Sequence, residues 1–448
     1  MEYTINKLSR MSGVSTRTLR YYDEIALLKP LRVAESGYRI YGQEQVDTLQ
    51  QILFYKELDF SLEDIKALLF ASDFDRGRAF GEHLSMLQNK RERLDTLILN
   101  ITKSITAMKG EITMSNQEKF AGFNKPLVTH MYTADPSVHV FEGKLYIYPS
   151  HDLENEGLDD GFGDHFKMTD YHVFSMDDIG APCVDHGQAL HIRDVPWATE
   201  RMWDSDVAFK NGKYYYYFPA HDKDGIFRFG VAVGDNPKGP FKPEPDYIPG
   251  SYSIDAAVYT EDDGTSYMFF GGLWGGQLEY WRTGEYVPYD GEKGRNGPQG
   301  DEPAMGPRYA ILSDDMLTFK TEPKEVLILD ENGKPLKASD TGRRFFEAAW
   351  IHKFNGKYYL SYSTGDTHNI CYAESGSLLG PYTYKGVVLE EVVGWTNHHS
   401  IVEFKGKWLL FYHDSSMSGG ATHLRNLKYT ELEIAPDGTI KTVKPYED

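Results

Sequence analysis

The sequence predicts a multidomain chain of two fold classes: an all-α winged helix-turn-helix region with a coiled-coil helix, followed by an all-β five-bladed β-propeller. Before residue 112, apolar residues recur at helical spacing and glycine is sparse. After residue 126, short strands rich in Tyr, Phe and Val alternate with Asp-Gly, Asn-Gly and Lys-Gly turns. One hairpin pattern recurs five times there. The predicted domains are 1–75, 76–112 and 126–448, with a linker at 113–125.

The N-terminal region has the pattern of two short helices joined by a tight turn. The first helix is predicted to end at Gly13, and Ser15 is the predicted N-cap of the second. A helix, a turn with glycine and a helix form a helix-turn-helix. Arg17 and Arg20 lie one turn apart on the second helix, where both could enter a DNA groove. Residues 37–41 predict a strand-like wing.

A heptad pattern of apolar side chains runs through the end of the helical region. Its members step alternately by four and three residues, with one arginine interrupting the apolar series, and they are Leu87, Arg91, Leu94, Ile98, Ile101, Ile105 and Met108. This spacing is typical of a coiled-coil seam and predicts a dimer. A single amphipathic helix that packs on its own domain is the alternative.

Four strings in this region carry a resemblance to a known family. The strings at 15–23, 27–30, 37–41 and 61–65 resemble those of MerR-family transcription regulators. The resemblance implies an antiparallel coiled-coil dimer and DNA binding through Arg17, Arg20, Tyr21, Tyr38 and Arg39. Residues 114–123 are similar to the start of the effector domain of the TipA-like branch, without the rest of that domain. A natural fusion and an assembly chimera both stay open.

The five repeated hairpins each contain a turn glycine followed by an aromatic strand. The turn glycines are Gly143, Gly212, Gly264, Gly356 and Gly406. Because each turn lies between two apolar, β-prone runs, the pattern predicts a two-residue hairpin at each. Five repeats leave roughly 65 residues per copy, enough for a four-stranded blade with its loops.

A polar residue stands eight or nine positions before each turn glycine, at the start of a predicted strand. These residues are Asp135, Asp204, Asp255, Glu347 and His398. In a propeller, equivalent positions on the first strands meet at the central axis, so all five would share one mouth. A solvated strand start is the alternative for any one of them. Ionisable residues seldom converge in register without a task.

Several carboxylates around one mouth are suited to glycoside hydrolysis. One carboxylate stays ionised to activate water, and another stays protonated to donate to the leaving oxygen. A third acidic group raises the pKa of the acid. Aspartate suits the base and the modulator, and the longer glutamate suits the acid. The residue pattern alone does not assign the roles.

Five further strings resemble glycoside hydrolase family 43, above all its bifunctional xylosidase/arabinofuranosidase members. They lie at 134–141, 203–212, 250–255, 345–350 and 394–401. The resemblance covers about residues 126–444. It implies inverting, exo-acting hydrolysis of terminal β-D-xylosyl and α-L-arabinofuranosyl residues from short hemicellulose oligosaccharides. Asp135 is then the general base, Asp255 the pKa modulator and Glu347 the general acid. Ala256 departs from the family, whose members commonly have proline there.

The same resemblance implies further site residues. His398 matches an axial histidine that holds Ca2+ in many relatives, largely through water; a histidine that only forms hydrogen bonds is the alternative. Trp203 and Trp274 are candidate pocket walls. Arg425 is a candidate contact to sugar hydroxyls. Each of these last three is weighed against a purely structural role.

Charge and composition limit the partners. The net charge of −20 falls entirely after residue 114, which argues against nucleic acid or an anionic membrane as partner of the β region. Two cysteines, no targeting segment and no run of about 20 apolar residues predict a cytoplasmic protein. Expected partners are xylo- and arabino-oligosaccharides, DNA through residues 1–75 and a second copy of the chain. The alternative function is a sugar-sensing MerR-type regulator with a non-catalytic propeller.

Overall fold

The 448-residue chain separates, in a computed structural model, into two compact units, Met1–Met114 and Ser115–Asp448. The predicted coiled-coil helix lies outside the described residues, so the dimer stays a prediction. No helix within the described ranges is long and apolar enough to cross a membrane. The described residues are 2–12, 14–34, 37–57, 65–66, 125–154, 163, 165–288, 297–365 and 367–446.

In the part that the structure describes, the N-terminal unit combines three helices with a small antiparallel sheet. Ser15 caps the second helix, as predicted, because its side chain accepts a hydrogen bond from the N–H of Thr18 at 3.0 Å. The predicted wing is a strand pair, and Tyr41 at its end is fully buried against the helices. The elements are β1 (Tyr3–Thr4), α1 (Ile5–Ser12), α2 (Thr16–Glu24), β2 (Arg32–Val33), β3 (Arg39–Tyr41) and α3 (Gln43–Glu57).

The C-terminal unit is mostly β, and its described strands form five sheets that follow one another along the chain. Neighbouring strands are antiparallel except for one pair in the fourth sheet, Ile328–Leu329 with Tyr382–Leu389. The first sheet contains β4 (Tyr132–Phe141), β5 (Lys144–Asp152), β6 (Asp170–Met176) and β7 (Val184–His191). The second contains β8 (Asp206–Lys210), β9 (Lys213–His221), β10 (Phe227–Gly234) and β11 (Lys242–Pro243).

The third and fifth sheets have the same meandering order, whereas the fourth adds a short parallel strand at its edge. The third contains β12 (Ala257–Thr260), β13 (Ser266–Phe270), β14 (Arg308–Ile311) and β15 (Lys324–Glu325). The fourth contains β16 (Ile328–Leu329), β17 (Glu347–Phe354), β18 (Lys357–Ser363), β19 (Ile370–Ser375) and β20 (Tyr382–Leu389). The fifth contains β21 (His399–Phe404), β22 (Lys407–Asp414) and β23 (Asn426–Glu431). Short 3-10 helices lie at Ile192–Asp194, Trp274–Gly276 and Leu278–Trp281.

Four of the five predicted hairpins have two-residue turns. In each of these the residue before the turn glycine and the glycine itself both have positive φ, as the twist of a tight hairpin requires. The prediction is wrong for the third hairpin, where Thr260 pairs with Ser266 and the turn is longer. There the Asp263 carboxylate accepts the N–H of Thr265 at 2.8 Å and stabilises the wider turn.

The strands that begin the five repeated hairpins, called the first strands below, lie next to one another. β4 contacts β8, β8 contacts β12, β12 contacts β17, β17 contacts β21, and β21 contacts β4. The segment before β4 also bonds to the fifth sheet, because the N–H of Leu127 donates to the carbonyl of Leu427 at 2.9 Å. Apolar side chains fill the space between sheets, as in the edge-to-face pair of Tyr148 and Tyr216. Polar residues at the starts of the first strands are thereby brought together.

Candidate active site

The three predicted catalytic carboxylates lie at irregular points of the first strands. Asp135 interrupts β4 at a bulge with φ 49°, and Asp255 lies two residues before the start of β12 with φ 63°. Glu347 begins β17 at a second bulge, where Ala348 has φ 61°. Positive φ is costly for residues other than glycine and is found mainly where the surrounding structure enforces it. The backbone is therefore held in an unfavourable conformation at or beside all three acids.

Asp135 is buried and faces a cation. Its Oδ1 accepts a hydrogen bond from Arg425 Nη1 at 2.8 Å, and its Oδ2 accepts one from Ser150 Oγ at 2.5 Å. Its backbone N–H donates to His413 Nδ1 at 3.1 Å. Burial by itself would raise the pKa of Asp135, but the Arg425 guanidinium and the nearby histidines outweigh it and lower the pKa to about 2.

Arg425 is buried and binds two carboxylates at once. Its Nε and Nη2 donate to Asp152 at 2.8 and 2.7 Å, and Nη1 donates to Asp135 and to Thr396 Oγ1. The guanidinium also lies over the Phe166 ring, 4.8 Å from its centroid. These contacts make Arg425 a positioning residue for Asp135. Its predicted contact to sugar hydroxyls stays a prediction.

Glu347 is in a different electrostatic environment. Burial and then the negative charges of Asp255 and Asp135 raise the pKa of Glu347 well above its ordinary value. Among the described residues, no basic side chain forms an ion pair with it. Asp255 is fixed beside it, because Asp255 Oδ2 accepts the N–H of Ala348 at 2.6 Å. The neighbouring acid is thus held where its charge acts on Glu347.

Asp204 and His398 complete the cluster. The N–H of Asp255 donates to Asp204 Oδ1 at 2.8 Å, and His398 Nε2 lies 3.9 Å from Asp255 Oδ1. Burial, followed by the charge of Asp255, raises the pKa of Asp204 well above its ordinary value. Burial also raises the pKa of Asp255, although His398 opposes this. The structure therefore brings together the polar strand starts that the sequence placed in register.

Comparison with known proteins places this cluster in a family. The profile of glycosyl hydrolases family 43 matches residues 123–440, which is most of the chain. The chain belongs to glycosyl hydrolases family 43. Xylosidase/arabinosidase 43A of Humicola insolens is 56% identical over 325 residues, covering 71% of this chain and 99% of that protein.

A solved structure gives the same assignment for the family 43 domain. It is a family 43 β-xylosidase/α-arabinofuranosidase from a compost microbial metagenome, in complex with xylotriose and in a calcium-free form. The identity is 60%, with 73% of this chain and 98% of that chain covered and a TM-score of 0.71. The predicted membership in this glycoside hydrolase family is confirmed.

The N-terminal unit matches a second family. The profiles of the MerR HTH regulatory proteins and the MerR DNA-binding region match residues 3–71 and 46–110. The HTH-type transcriptional activator mta of Bacillus subtilis is 37% identical over 145 residues, 32% of this chain. The chain spans 56% of the length of that regulator. The predicted fusion of a MerR-type region to a family 43 domain is confirmed.

Aromatic side chains lie close to Glu347 in the family 43 domain. Trp274 stacks on Trp395 with ring centroids 5.9 Å apart, and Phe346, the residue before Glu347, meets both rings edge-on. Trp395 is 40% exposed, so part of this aromatic wall faces solvent. Trp203 is buried and donates its indole N–H to the carbonyl of Phe166 at 2.8 Å. Of the two predicted walls, Trp274 therefore has the more accessible surroundings.

Sequence reasoning missed four residues of the site. Ser150 and Asp152 lie among the last three residues of β5, His413 is the penultimate residue of β22, and Trp395 lies in the loop before β21. A usable signal was present for the first three, because each is a polar residue near the end of a strand with an apolar middle. No pattern in the sequence indicates that Trp395 stacks on Trp274.

The predicted DNA-contacting residues differ in their surroundings. Arg17, Arg20, Tyr21 and Tyr38 are exposed on α2 and in the wing. Arg39 is partly buried and bonds to Asp23 at 2.6 Å through its Nε. Its charge is therefore already paired within the domain, whereas Arg17 and Arg20 form no ion pair with another described residue.

Proposed function

We propose that the family 43 domain is an inverting exo-glycosidase that removes terminal β-D-xylosyl and α-L-arabinofuranosyl residues from short hemicellulose oligosaccharides. The names of the Humicola and compost proteins support this substrate class, because they share 56% and 60% identity with this chain. Both pentosides present similar ring atoms to one pocket. A cytoplasmic location, where such short substrates would be imported, is part of the proposal.

One observation carries the proposal: two carboxyl groups of a single buried cluster have pKa values displaced in opposite directions. Asp135 is kept ionised by Arg425, and Glu347 is kept protonated by burial and by Asp255. Carboxyl groups whose environments separate their pKa values in this way act as the base and the acid of hydrolysis. Asp135 is then the base, Glu347 the acid and Asp255 the modulator.

The proposed reaction balances without further reagents. Asp135 removes a proton from water as the oxygen attacks the anomeric carbon, and Glu347 donates its proton to the glycosidic oxygen that leaves. The products are a free pentose of inverted anomeric configuration and an oligosaccharide that is one residue shorter. Asp135 then holds a proton and Glu347 a charge, and exchange with solvent restores both groups.

We also propose that the five sheets are the blades of a closed five-bladed propeller. The contact of β21 with β4 and the bond from Leu127 to Leu427 support closure. In such a ring the strand starts at Asp135, Asp255 and Glu347 face a common axis. The aromatic wall of Trp274 and Trp395 would then border the sugar site beside the acid, since aromatic faces stack on the C–H faces of sugars.

Calcium is a proposed occupant of the axis. Neither ring nitrogen of His398 has a hydrogen-bond partner among the described residues, and Asp204 Oδ2 also lacks one. Ligand atoms of Asp204, Asp255 and His398 lie within 4.8 Å of one another. Because Ca2+ prefers oxygen, the imidazole would reach it through water. The ion would supply positive charge beside the acids.

We expect chelation to lower the rate of pentoside hydrolysis and added Ca2+ to restore it. Unchanged rates after chelation would reject the calcium proposal.

The test of the hydrolase is a rate comparison on aryl pentosides. We expect the full chain to release p-nitrophenol from the β-D-xylopyranoside and the α-L-arabinofuranoside. Asp135→Asn should lower kcat by about 10²–10⁴-fold, the usual contribution of general base catalysis. Asp178→Asn, a change in an exposed loop carboxylate, is the matched control and should keep the rate. Equal rates for Asp135→Asn and wild type would reject the mechanism.

DNA binding by the N-terminal unit is a second proposed activity. The exposed pair Arg17 and Arg20 on one helix favours it, because exposed arginines on a recognition helix contact phosphates and base edges. We expect selection from a random duplex library to yield a binding site, and each arginine-to-alanine change to weaken binding. If binding responds to pentose while no pentoside is cleaved, the non-catalytic sensor is the better description. If no duplex is enriched, DNA binding is rejected.

A further inference from the structure

A second cluster of ionisable residues lies in the first sheet. His151, near the end of β5, and Asp170, at the start of β6, meet across neighbouring strands, with His151 Nδ1 2.8 Å from Asp170 Oδ1. His172 is two residues further along β6, and its ring meets that of His151 edge-to-face at 5.5 Å. Three side chains from two adjacent strands thus converge on one point.

This cluster is separate from the carboxylates of the active site. Ser150 donates to Asp135, and successive side chains of a strand point to opposite faces. His151 therefore faces away from Asp135. The side chains of His151, Asp170 and His172 are 18%, 8% and 17% exposed, so solvent reaches the cluster. An ion could enter without passing through the sugar site, and water could complete its coordination.

The spacing of the ligand atoms fits one ion. The atoms offered by the three residues all lie within 4.8 Å of one another. His172 Nε2 lies 3.8 Å from Asp170 Oδ2, which is too far for a hydrogen bond. Two ligands each about 2.0–2.1 Å from a tetrahedral ion are roughly 3.3 Å apart, and the observed 2.8 and 3.8 Å bracket that value.

Surrounding contacts orient the ligands. His172 Nδ1 lies 3.1 Å from Asp185 Oδ1, and a carboxylate only accepts, so Nδ1 carries the hydrogen and Nε2 keeps its lone pair towards Asp170. Asp185 is fixed in turn by the N–H of Gly187 at 2.7 Å. Gln188 donates to Asp170 Oδ2 at 2.8 Å. A carboxylate behind a ligating histidine is the usual second contact of protein metal sites.

We propose that His151, Asp170 and His172 bind one divalent first-row transition-metal ion, with Zn2+ as the reference ion. Two imidazoles and one carboxylate suit such an ion and are a poor set for Ca2+, which prefers oxygen. The ion takes the place of the hydrogen bond between His151 Nδ1 and Asp170 Oδ1. It joins β5 to β6 next to Ser150, a hydrogen-bond partner of Asp135.

The test is a Zn2+ titration of the full chain after chelator treatment, in competition with a chromogenic chelator. We expect wild type to bind one equivalent that His151→Gln and His172→Gln both lose. His398→Ala, at the proposed calcium position, should keep this equivalent. His186→Ala, which removes a histidine bonded to Ser175 on the neighbouring strand, is the matched control and should also keep it.

Two further measurements separate a metal site from a hydrogen-bonded network. Asp185→Asn, which leaves all three ligands in place, should weaken Zn2+ binding by about tenfold. Co2+ added to wild type should give ligand-field bands that are absent in His172→Gln. Wild type that binds no Zn2+, or glutamine variants that bind as much as wild type, would overturn the proposal. Circular dichroism of the metal-free variants checks that they are folded.

Discussion

The surroundings of Asp135 and Glu347 differ although both side chains are carboxylic acids in one buried cluster. Asp135 accepts hydrogen bonds from Arg425 and Ser150, and its pKa falls to about 2. Glu347 has Asp255 as its neighbour, and its pKa rises well above the ordinary value. Burial acts in the same direction on both groups. The sign of the neighbouring charge therefore decides which group stays ionised and which stays protonated.

Stability depends on pH through the same contacts. The folded pKa of Asp135 lies below its ordinary value of 3.8, so its ion pair stabilises the fold above about pH 4. This contribution is lost as the pH falls towards 2. Glu347 has the opposite sign, because its folded pKa is raised and its burial in the ionised form destabilises the fold at higher pH.

The largest effect on stability and on the pH–rate profile is expected when Asp135 loses its ion pair with Arg425. Arg425→Met leaves Asp135 and Asp152 buried without their partner, which costs about 3–5 kcal/mol in the free energy of unfolding. The pKa of Asp135 should rise, so the acid limb of kcat/KM should move to higher pH. Thermal unfolding and a pH–rate profile measure the two effects.

Arg228→Met is the matched control. Arg228 pairs with Asp222 at 3.1 Å and is also largely buried, but it is not one of the main charges that shift the pKa of Asp135 or Glu347. It should lose stability without moving the acid limb. An acid limb that stays in place in Arg425→Met would contradict the account of the base.

The proposed role of Glu347 as general acid can be tested by comparing substrates whose leaving groups differ in their need for a proton. Glu347→Gln cannot donate a proton, so cleavage of xylobiose should fall by about 10²–10⁴-fold. Release of p-nitrophenol, a leaving group that needs little protonation, should fall much less. Glu374→Gln, a surface change in the same sheet where Glu374 pairs with Lys357 and Lys385, should leave both rates unchanged. Equal losses on both substrates would show that Glu347 is not the acid.

A smaller effect on the pH–rate profile is expected when Asp255, the proposed pKa modulator, loses its charge. Asp255→Asn removes a negative charge that raises the pKa of Glu347. The alkaline limb of kcat/KM, which reports deprotonation of the acid, should therefore move to lower pH. An unmoved limb would mean that burial alone sets the pKa of Glu347.

Short-range features of this fold could be predicted from the sequence. Ser15 identifies a helix start, and Asn211 before Gly212 identifies a two-residue turn, because each signal acts within a few residues. The third hairpin differs because Asp263 stabilises a wider turn. The register of the five strand starts was also visible, since it repeats with the turn glycines.

The partners of the acids could not be predicted in the same way. Arg425 lies 290 residues from Asp135 in the sequence, and the stack of Trp274 on Trp395 joins two different loops. Contacts of this kind depend on how neighbouring sheets pack, and no local pattern encodes that packing. The sequence indicated which residues are acidic and in register, whereas the ionisation of each depends on these distant partners.

The most direct test of the central claim is a 13C NMR titration of the side-chain carboxyl carbons of aspartate and glutamate in the folded protein. Asp135→Asn and Glu347→Gln assign the two signals. The account predicts that Asp135 stays ionised until the pH approaches 2 and that Glu347 takes up its proton well above pH 4.5. A Glu347 signal that titrates at or below 4.5, or an Asp135 signal that titrates above 3.8, would contradict it.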